Sequence, residues 1–309
     1  MAGTTGIAWT DATCNIVIGC TKVGPGCEHC YAAEFAQRKW NIIFEAGGKR
    51  HVTQSGFTDP PKWQRMHDRG QTTMRVNGQN VPVPKWVFFC SLSDFFDNEW
   101  PPEVRARAWA MIRECPALRP QIVTKRIGNV AKMLPLEWGM GEDYRHVGII
   151  ATMVDQSEVD RDFDKLSILK TSFGIRWIGL SIEPQLGPIK LGDRLQHLNW
   201  VIVGGESKQG DHAARPFDLA WAASLIAECQ AANVPVFMKQ MGDNPKFNRE
   251  PFRKMRDSGS RPEDWPRDFR VQEMPRVFDA DPPYEPKNLP KATTPASPLA
   301  PPDRGPTLL

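Results

Sequence analysis

No apolar run in this 309-residue chain approaches the ~20 residues needed to span a bilayer, so a membrane-crossing helix is not expected. The opening residues, MAGTTGIAWTDATC, lack the basic start and apolar core of a secretory signal, and a cytoplasmic location is the expectation. An excess of one charge is missing too. The 39 basic residues face 36 acidic ones, and a net +3 gives no global pull toward nucleic acid or an anionic membrane. Seven cysteines, an odd number, fit metal ligation or free thiols in a reducing compartment better than a disulfide framework. Large apolar residues become scarce after Asp279, where proline takes over (PPYEPKNLPKATTPASPLAPPDRGPTLL). Such a stretch buries too little surface to offset its ordering entropy, so 279–309 is expected to be a disordered tail behind one domain, 1–278.

Short apolar runs do alternate with helical patterns from residue 86 onward. WVFFC (86–90) precedes a helix opened by Pro101 and Pro102. QIVT (121–124) precedes a short helix near Val130 to Leu134, and HVGIIATM (146–153) precedes a charged helix over about 156–170. RWIGLSI (176–182) leads into a Pro/Gly turn, WVIVGG (200–205) into a helix over about 218–232, and VPVFMKQ (234–240) is the last strong strand. Strands that read as continuous apolar runs between helices imply a parallel sheet covered on its faces. The fold expected is α/β, a partial or complete β/α (TIM-like) barrel. Polar residues close nearly every strand, and a barrel gathers those ends at one site, whereas an open doubly wound sheet gathers ligands at a switch point. Before residue 86 the expectation is a strand near 13–18, a helix over about 31–40 and, in a 47–84 insertion beside the site, a helix at 60–69 and a hairpin turning at Asn77-Gly78. The mixed charges of 246–270 read as a solvated segment.

The chemistry concentrates in CTKVGPGCEHCYA, residues 20–32, where Cys20, Cys27 and Cys30 can close around one metal centre. Three thiolates leave a [4Fe-4S] cluster one ligand short, and a small molecule could bind and react at that iron. The C-x6-C-x2-C spacing differs from the C-x3-C-x2-C of most radical S-adenosylmethionine enzymes, so zinc and unliganded thiols stay open as alternatives. Cys14 lies near enough in sequence to be a fourth thiolate. Cys90, Cys115 and Cys229 read as small buried hydrophobes.

Several strings occur in one order: IAWTDATC, GCTKVGPGCEHCYA, LSDFFD, VTKR, LSIEPQLGPI, WVIVGGES, ARPF and VPVFMKQMG. Over about residues 6–275 they resemble the phage three-cysteine-motif family, a domain of unknown function whose members are regarded as radical-SAM-like. Some members are encoded beside a three-Cys-motif partner protein. The resemblance implies a barrel of the radical SAM type and Cys20, Cys27 and Cys30 as the cluster ligands; the family's pattern carries Trp where this chain has Cys14. With a cluster in place, S-adenosylmethionine would chelate the open iron and be cleaved to a 5′-deoxyadenosyl radical, with the barrel positioning the substrate.

By strand order, Ser91, Ser93 and Asp94 fall where related folds bind the methionine amino group, with Asp94 as acceptor or, alternatively, as the cap of the helix near Pro101. Lys125 and Arg126 could hold a carboxylate or pair at the surface. Gly204 and Gly205 would permit close backbone approach, with Glu206 taking a ribose or amine. Glu183 and Lys239 are the catalytic candidates, with a structural ion pair between them as the alternative. Nucleic acid is the substrate class the resemblance puts first. A non-enzymatic nucleic-acid or partner-binding module with structural zinc is the competing reading.

Overall fold

The apolar runs of the sequence become one parallel sheet. A computed structural model describes residues 5–139 and 143–278; the expected proline-rich tail, 279–309, lies outside the described residues. Seven strands make the sheet: β1 (Ala12–Cys14), β2 (Trp86–Phe89), β3 (Arg119–Thr124), β4 (Gly148–Thr152), β5 (Trp177–Ile182), β6 (Trp200–Gly204) and β7 (Val236–Gln240). Each lies beside its predecessor in the chain, and every pairing is parallel. That is barrel order, but among the described residues no ladder joins β1 to β7, so the sheet curls into a partial barrel.

Six helices accompany it: α1 (Tyr31–Trp40), α2 (Ser55–Asp68), α3 (Pro102–Arg113), α4 (Ile127–Met133), α5 (Gln156–Phe173) and α6 (Leu219–Ala231). Helix ends follow local chemistry. The Asp155 carboxylate accepts from Glu158 N at 2.8 Å to start α5, and Asp218 accepts from Ala220 N at 3.0 Å to start α6.

Strand residues alternate between two cores. Val87, Phe89, Ile149, Leu180, Val201 and Met238 join the larger core under the helices, while Trp86, Phe88, Ile150, Trp177, Trp200, Ile202 and Phe237 join a smaller one on the other face. That second face is closed at the strands' N-terminal ends by tryptophans, with Trp86 and Trp177 at 6.0 Å and Trp9 and Trp200 at 5.9 Å between ring centroids. A Cβ on Gly148 would stand 2.1 Å from the Trp177 ring, so glycine makes the room this layer needs. Residues 271–278 seal the same end. Met238 N donates to Val271 O at 2.8 Å, Trp200 Nε1 donates to Glu273 O at 2.8 Å, and Phe278 meets Trp86 at 6.4 Å.

The expected 47–84 insertion divides in two. The hairpin forms as read, Thr73–Val76 against Gln79–Pro82, with Asn77 and Gly78 at φ 49° and 82°. The helix is different: α2 starts earlier, at Ser55, and buries Phe57 and Trp63 in the larger core rather than standing beside the site. Pro60 denies the Gly56 carbonyl its helical partner. The Cys14 thiol takes that place, donating to Gly56 O at 3.3 Å, so Cys14 serves β1–α2 packing and does not line the cavity of the other three thiols. The charged segment resolves into internal pairs, Arg256 with Asp264 at 2.6 Å and Arg261 with Asp257. No helix among the described residues is long and apolar enough to cross a membrane.

His146, only 6 % exposed, sits with Nε2 3.0 Å from Ile112 O, and burial pushes its pKa down to about 4 from the ordinary 6.5. The folded chain therefore binds fewer protons than the unfolded chain between those values. Stability is complete above pH 6.5 and falls as pH drops toward 4, by about 3 kcal/mol at 1.36 kcal/mol per unit. Urea titrations across this window should give a flatter dependence for His146→Gln than for the wild type; equal slopes would contradict the assignment.

Candidate functional site

All strands of the sheet end on one side, and the three cysteines lie there. Cys20, Cys27 and Cys30 line one cavity of about 110 Å³, together with the strand-end residues Ser91, Ser93, Asp94, Lys125 and Arg126. Beside it opens a chamber of about 680 Å³ whose walls include Glu183, Gly205, Glu206 and Lys239. Cys30, Tyr31, Phe88, Val123, Lys125 and Thr152 border both spaces.

Local sequence explains the loop that carries the thiols. Gly24 precedes a 3-10 turn, Pro25–Cys27, and Cys30 stands at the N-cap of α1. At Gly26 a Cβ would lie 2.9 Å from Val154 Cγ1 and 3.0 Å from Lys125 Cε, so glycine lets the loop rest on the ends of β3 and β4. Helix α1 does not cover the sheet's outer face. It presents Tyr31, Glu34, Phe35 and Arg38, at i, i+3, i+4 and i+7, to the larger chamber.

Two sets of buried charges hold this loop. On one side the Glu206 carboxylate, 7 % exposed, accepts from Arg215 Nη2 at 2.6 Å and Arg215 N at 2.8 Å and pairs with His29 Nδ1 at 3.0 Å. Arg215 also donates to Pro25 O at 2.9 Å, inside the cysteine loop. Burial alone would raise the Glu206 pKa; the Arg215 and His29 hydrogen bonds outweigh it and hold the group below its ordinary value. On the other side Arg126 donates to Cys20 Sγ at 3.4 Å and Thr21 O at 2.7 Å, and pairs with Asp94 at 3.4 Å and Asp97 at 3.7 Å. Arg50 ties in the same loop, with Asp97 at 2.9 Å and Glu99 at 2.9 Å.

These contacts show what several of the expected site residues touch. Asp94 accepts from Thr124 Oγ1 at 2.8 Å, Phe96 N at 3.0 Å and Lys125 N at 2.9 Å, so it ties the β2 loop to β3. It does not cap α3, where Pro101 occupies that position. Ser91 Oγ bonds Asn15 at 3.2 Å, and the Ser91 carbonyl accepts from Tyr31 OH at 2.8 Å. Both Glu206 oxygens are taken by Arg215 and His29. The close approach at Gly205 is to the protein's own chain, since a Cβ would meet Met241 O at 2.5 Å; at Gly204 it would lie 3.3 Å from Glu183 Oε1. Glu183 and Lys239 form an ion pair at 2.9 Å, and Ser181 Oγ donates to the second Glu183 oxygen at 3.2 Å. Among the described residues the Lys125 side chain has no hydrogen-bond or ion-pair partner.

Sequence reasoning left out Arg50, Asp97, Arg215 and Thr152. Asp97 and Arg215 stood inside quoted strings, LSDFFD and ARPF, and the signal available was that a charge set against apolar residues needs a partner. The Thr152 hydroxyl, on a residue that borders both spaces, is buried with no hydrogen-bond partner among the described residues.

Burial is the largest influence on Cys20 and, with Asp94 and Asp97 working against Arg126, pushes its thiol up to about 12. Metal loading there must displace a proton. Among the described residues no group of three or more His, Cys, Asp or Glu side chains is placed to hold a single ion. A single zinc needs thiolates drawn in to about 2.3 Å from one centre, whereas a four-iron cluster binds each on a separate iron. What the cavity offers is three thiols on its wall, with the Arg126 guanidinium donating to the Cys20 sulfur.

Arg215→Ala leaves Glu206 buried with His29 alone. A loss of about 3 kcal/mol in urea unfolding is expected, with faster amide exchange confined to the cysteine loop. Glu28→Ala, removing a partner whose side chain is 61 % exposed, should cost under about 0.5 kcal/mol.

In comparison with known proteins, residues 4–268 match the family described as Protein of unknown function (DUF5131), a description that names no metal, substrate or activity. No curated protein and no solved structure matches the chain. With most of its length inside that match, the chain belongs to the DUF5131 family.

Proposed function

We propose that this chain is a radical S-adenosylmethionine enzyme with a [4Fe-4S] cluster on Cys20, Cys27 and Cys30. The observation that carries the reading is the pairing of two spaces at the C-terminal end of a partial β/α barrel. The three thiols share the smaller one, which borders a chamber large enough for a small molecule. The resemblance to the three-cysteine-motif family supports the same reading. Bound there, the cluster and S-adenosylmethionine would supply one-electron cleavage of the sulfonium to methionine and a 5′-deoxyadenosyl radical.

The chain's own residues orient and exclude. Arg126 offers its N–H to the Cys20 sulfur and, with Asp94 and Asp97, fixes that side of the loop. Arg215 and Glu206 fix the other side through Pro25 and His29. Lys125, whose ammonium is unpaired among the described residues, is placed between the two spaces to meet a carboxylate. The Thr152 hydroxyl is a second group at that junction for a ligand to satisfy. Glu183 and Lys239 put an acceptor and a donor in the chamber wall, where they can hold a substrate edge near the reacting centre.

Metal and sulfide analysis of protein purified without oxygen tests the reading. About four irons and four sulfides per chain are expected in the wild type, on the stoichiometry of a three-thiolate cubane, and a near-complete loss in Cys27→Ala. Cys14→Ala should keep its iron, because Cys14 bonds Gly56 O instead of lining the cavity. One zinc without sulfide, or iron unchanged in Cys27→Ala, would overturn the proposal.

A further inference from the structure

The larger chamber has a chemistry of its own, separate from the thiols. One wall is the α1 face, on which Tyr31, Phe35 and Arg38 recur at i, i+4 and i+7. Tyr31 leaves 43 % of its surface open although both spaces border it, and its hydroxyl is fixed on Ser91 O at 2.8 Å. An aromatic ring held at its tip, with its surface open to a cavity, is a platform for stacking a flat group. The ends of β5 and β7 contribute Glu183 and Lys239, an acceptor and a donor 2.9 Å apart. Glu183 Oε1 is buried against Lys239, whereas Oε2, which accepts from Ser181 Oγ, keeps a further lone pair and the ammonium keeps further N–H groups. Adjacent donor and acceptor positions are what the edge of a nitrogen heterocycle presents in complement. Two cations, Arg38 and Lys125, border the chamber with no partner among the described residues, and so can receive an anion at no cost in existing pairs. A volume of about 680 Å³ holds such a ligand.

We infer that the chamber is a nucleotide site, its occupant a nucleoside monophosphate unit, free or presented as one residue of a single strand. The ring lies on the Tyr31 and Phe35 side, the base edge meets Glu183 and Lys239, and the phosphate meets Arg38, with Lys125 left to the carboxylate proposed above. The bland charge balance of the whole chain does not oppose this, because recognition of one unit requires local cations and a stacking surface rather than a basic face. The inference rests on the chamber being substrate space, as proposed above, and gives that space a substrate class.

Calorimetric titration of the full chain, purified without oxygen, tests it with adenosine, guanosine, cytidine and uridine 5′-monophosphates, the four parent nucleosides, and a short single-stranded oligonucleotide. At least one monophosphate or the oligonucleotide should bind with Kd below about 1 mM, and a monophosphate that binds should exceed its nucleoside about tenfold. Arg38→Ala, a change at an exposed helix position, should erase that phosphate advantage, and Phe35→Ala should weaken nucleoside and nucleotide alike about tenfold. Binding of the oligonucleotide alone assigns the unit to a strand, with the same two substitutions then weakening it. No binding to any probe at about 1 mM, or binding that both substitutions leave unchanged, overturns the inference. Iron analysis on the same samples separates the two claims: nucleotide binding without iron sinks the radical reading alone, and iron without nucleotide binding sinks this one alone.

Discussion

Everything at the candidate site hangs on charges taken out of water. Glu206 and Asp97 have side chains 7 % and 2 % exposed, and each faces a guanidinium that also reaches the cysteine loop or its base. A buried carboxylate is costly unless nearly every lone pair is used, and that requirement fixes the geometry around it. For Glu206 the partners are Arg215 and His29, and Arg215 continues to the Pro25 carbonyl. For Asp97 they are Arg50 and Arg126, and Arg126 continues to Cys20 and Thr21. The loop between Cys20 and Cys30 is thus held from two sides by groups that tolerate little displacement. The three thiols of this loop are held in place by those groups, since glycines at 24 and 26 give it no stiffness of its own.

The sheet supplies the other half of the arrangement by being asymmetric along its strands. At the N-terminal ends the inner face is filled by Trp86, Trp177 and Trp200 and closed by residues 271–278. At the C-terminal ends the same face turns to Thr152, Ser181, Glu183 and Lys239, which border open space. One end is spent on packing, the other on polar groups that the core would reject. Because the strands are parallel, these ends fall together without further design.

Much of this was legible in the sequence. Six of the seven strands announced themselves as apolar runs, while the strand expected near 13–18 divides into Ala12–Cys14, which joins the sheet, and Val17–Ile18, which does not; the gathering of Ser91, Asp94, Lys125, Glu183, Glu206 and Lys239 at one end followed from parallel order. Their bonding partners did not follow. Nothing in the string WVIVGGES says that Glu206 will be consumed by Arg215, because the two meet only through the return of the chain before α6. The extent of α2 was hidden by Pro60 and Pro61, which read as a start and proved interior; the compensating donor to Gly56 O, the Cys14 thiol, lies 42 positions before Gly56. Cys14, left open as a fourth thiolate, turns away for the same reason, since its nearness to the other cysteines in sequence is not kept by a strand that points its side chain into the core.

The short segment at 271–278 bears on where this folding unit stops. A partial barrel, unlike a closed one, has exposed strand edges, and an unpaired edge is a template for another chain. Along β7 that edge is occupied: Met238 donates to Val271 O, and Glu273 N donates back to Val236 O at 3.0 Å. The residues that shield the edge also plug the floor of the inner face, so a single strap meets both liabilities of an open sheet. The family match ends at residue 268, three positions before the strap begins. A chain cut at that boundary would keep all six helices and all seven strands and still present a bare β7 edge and an uncovered tryptophan layer, an invitation to self-association.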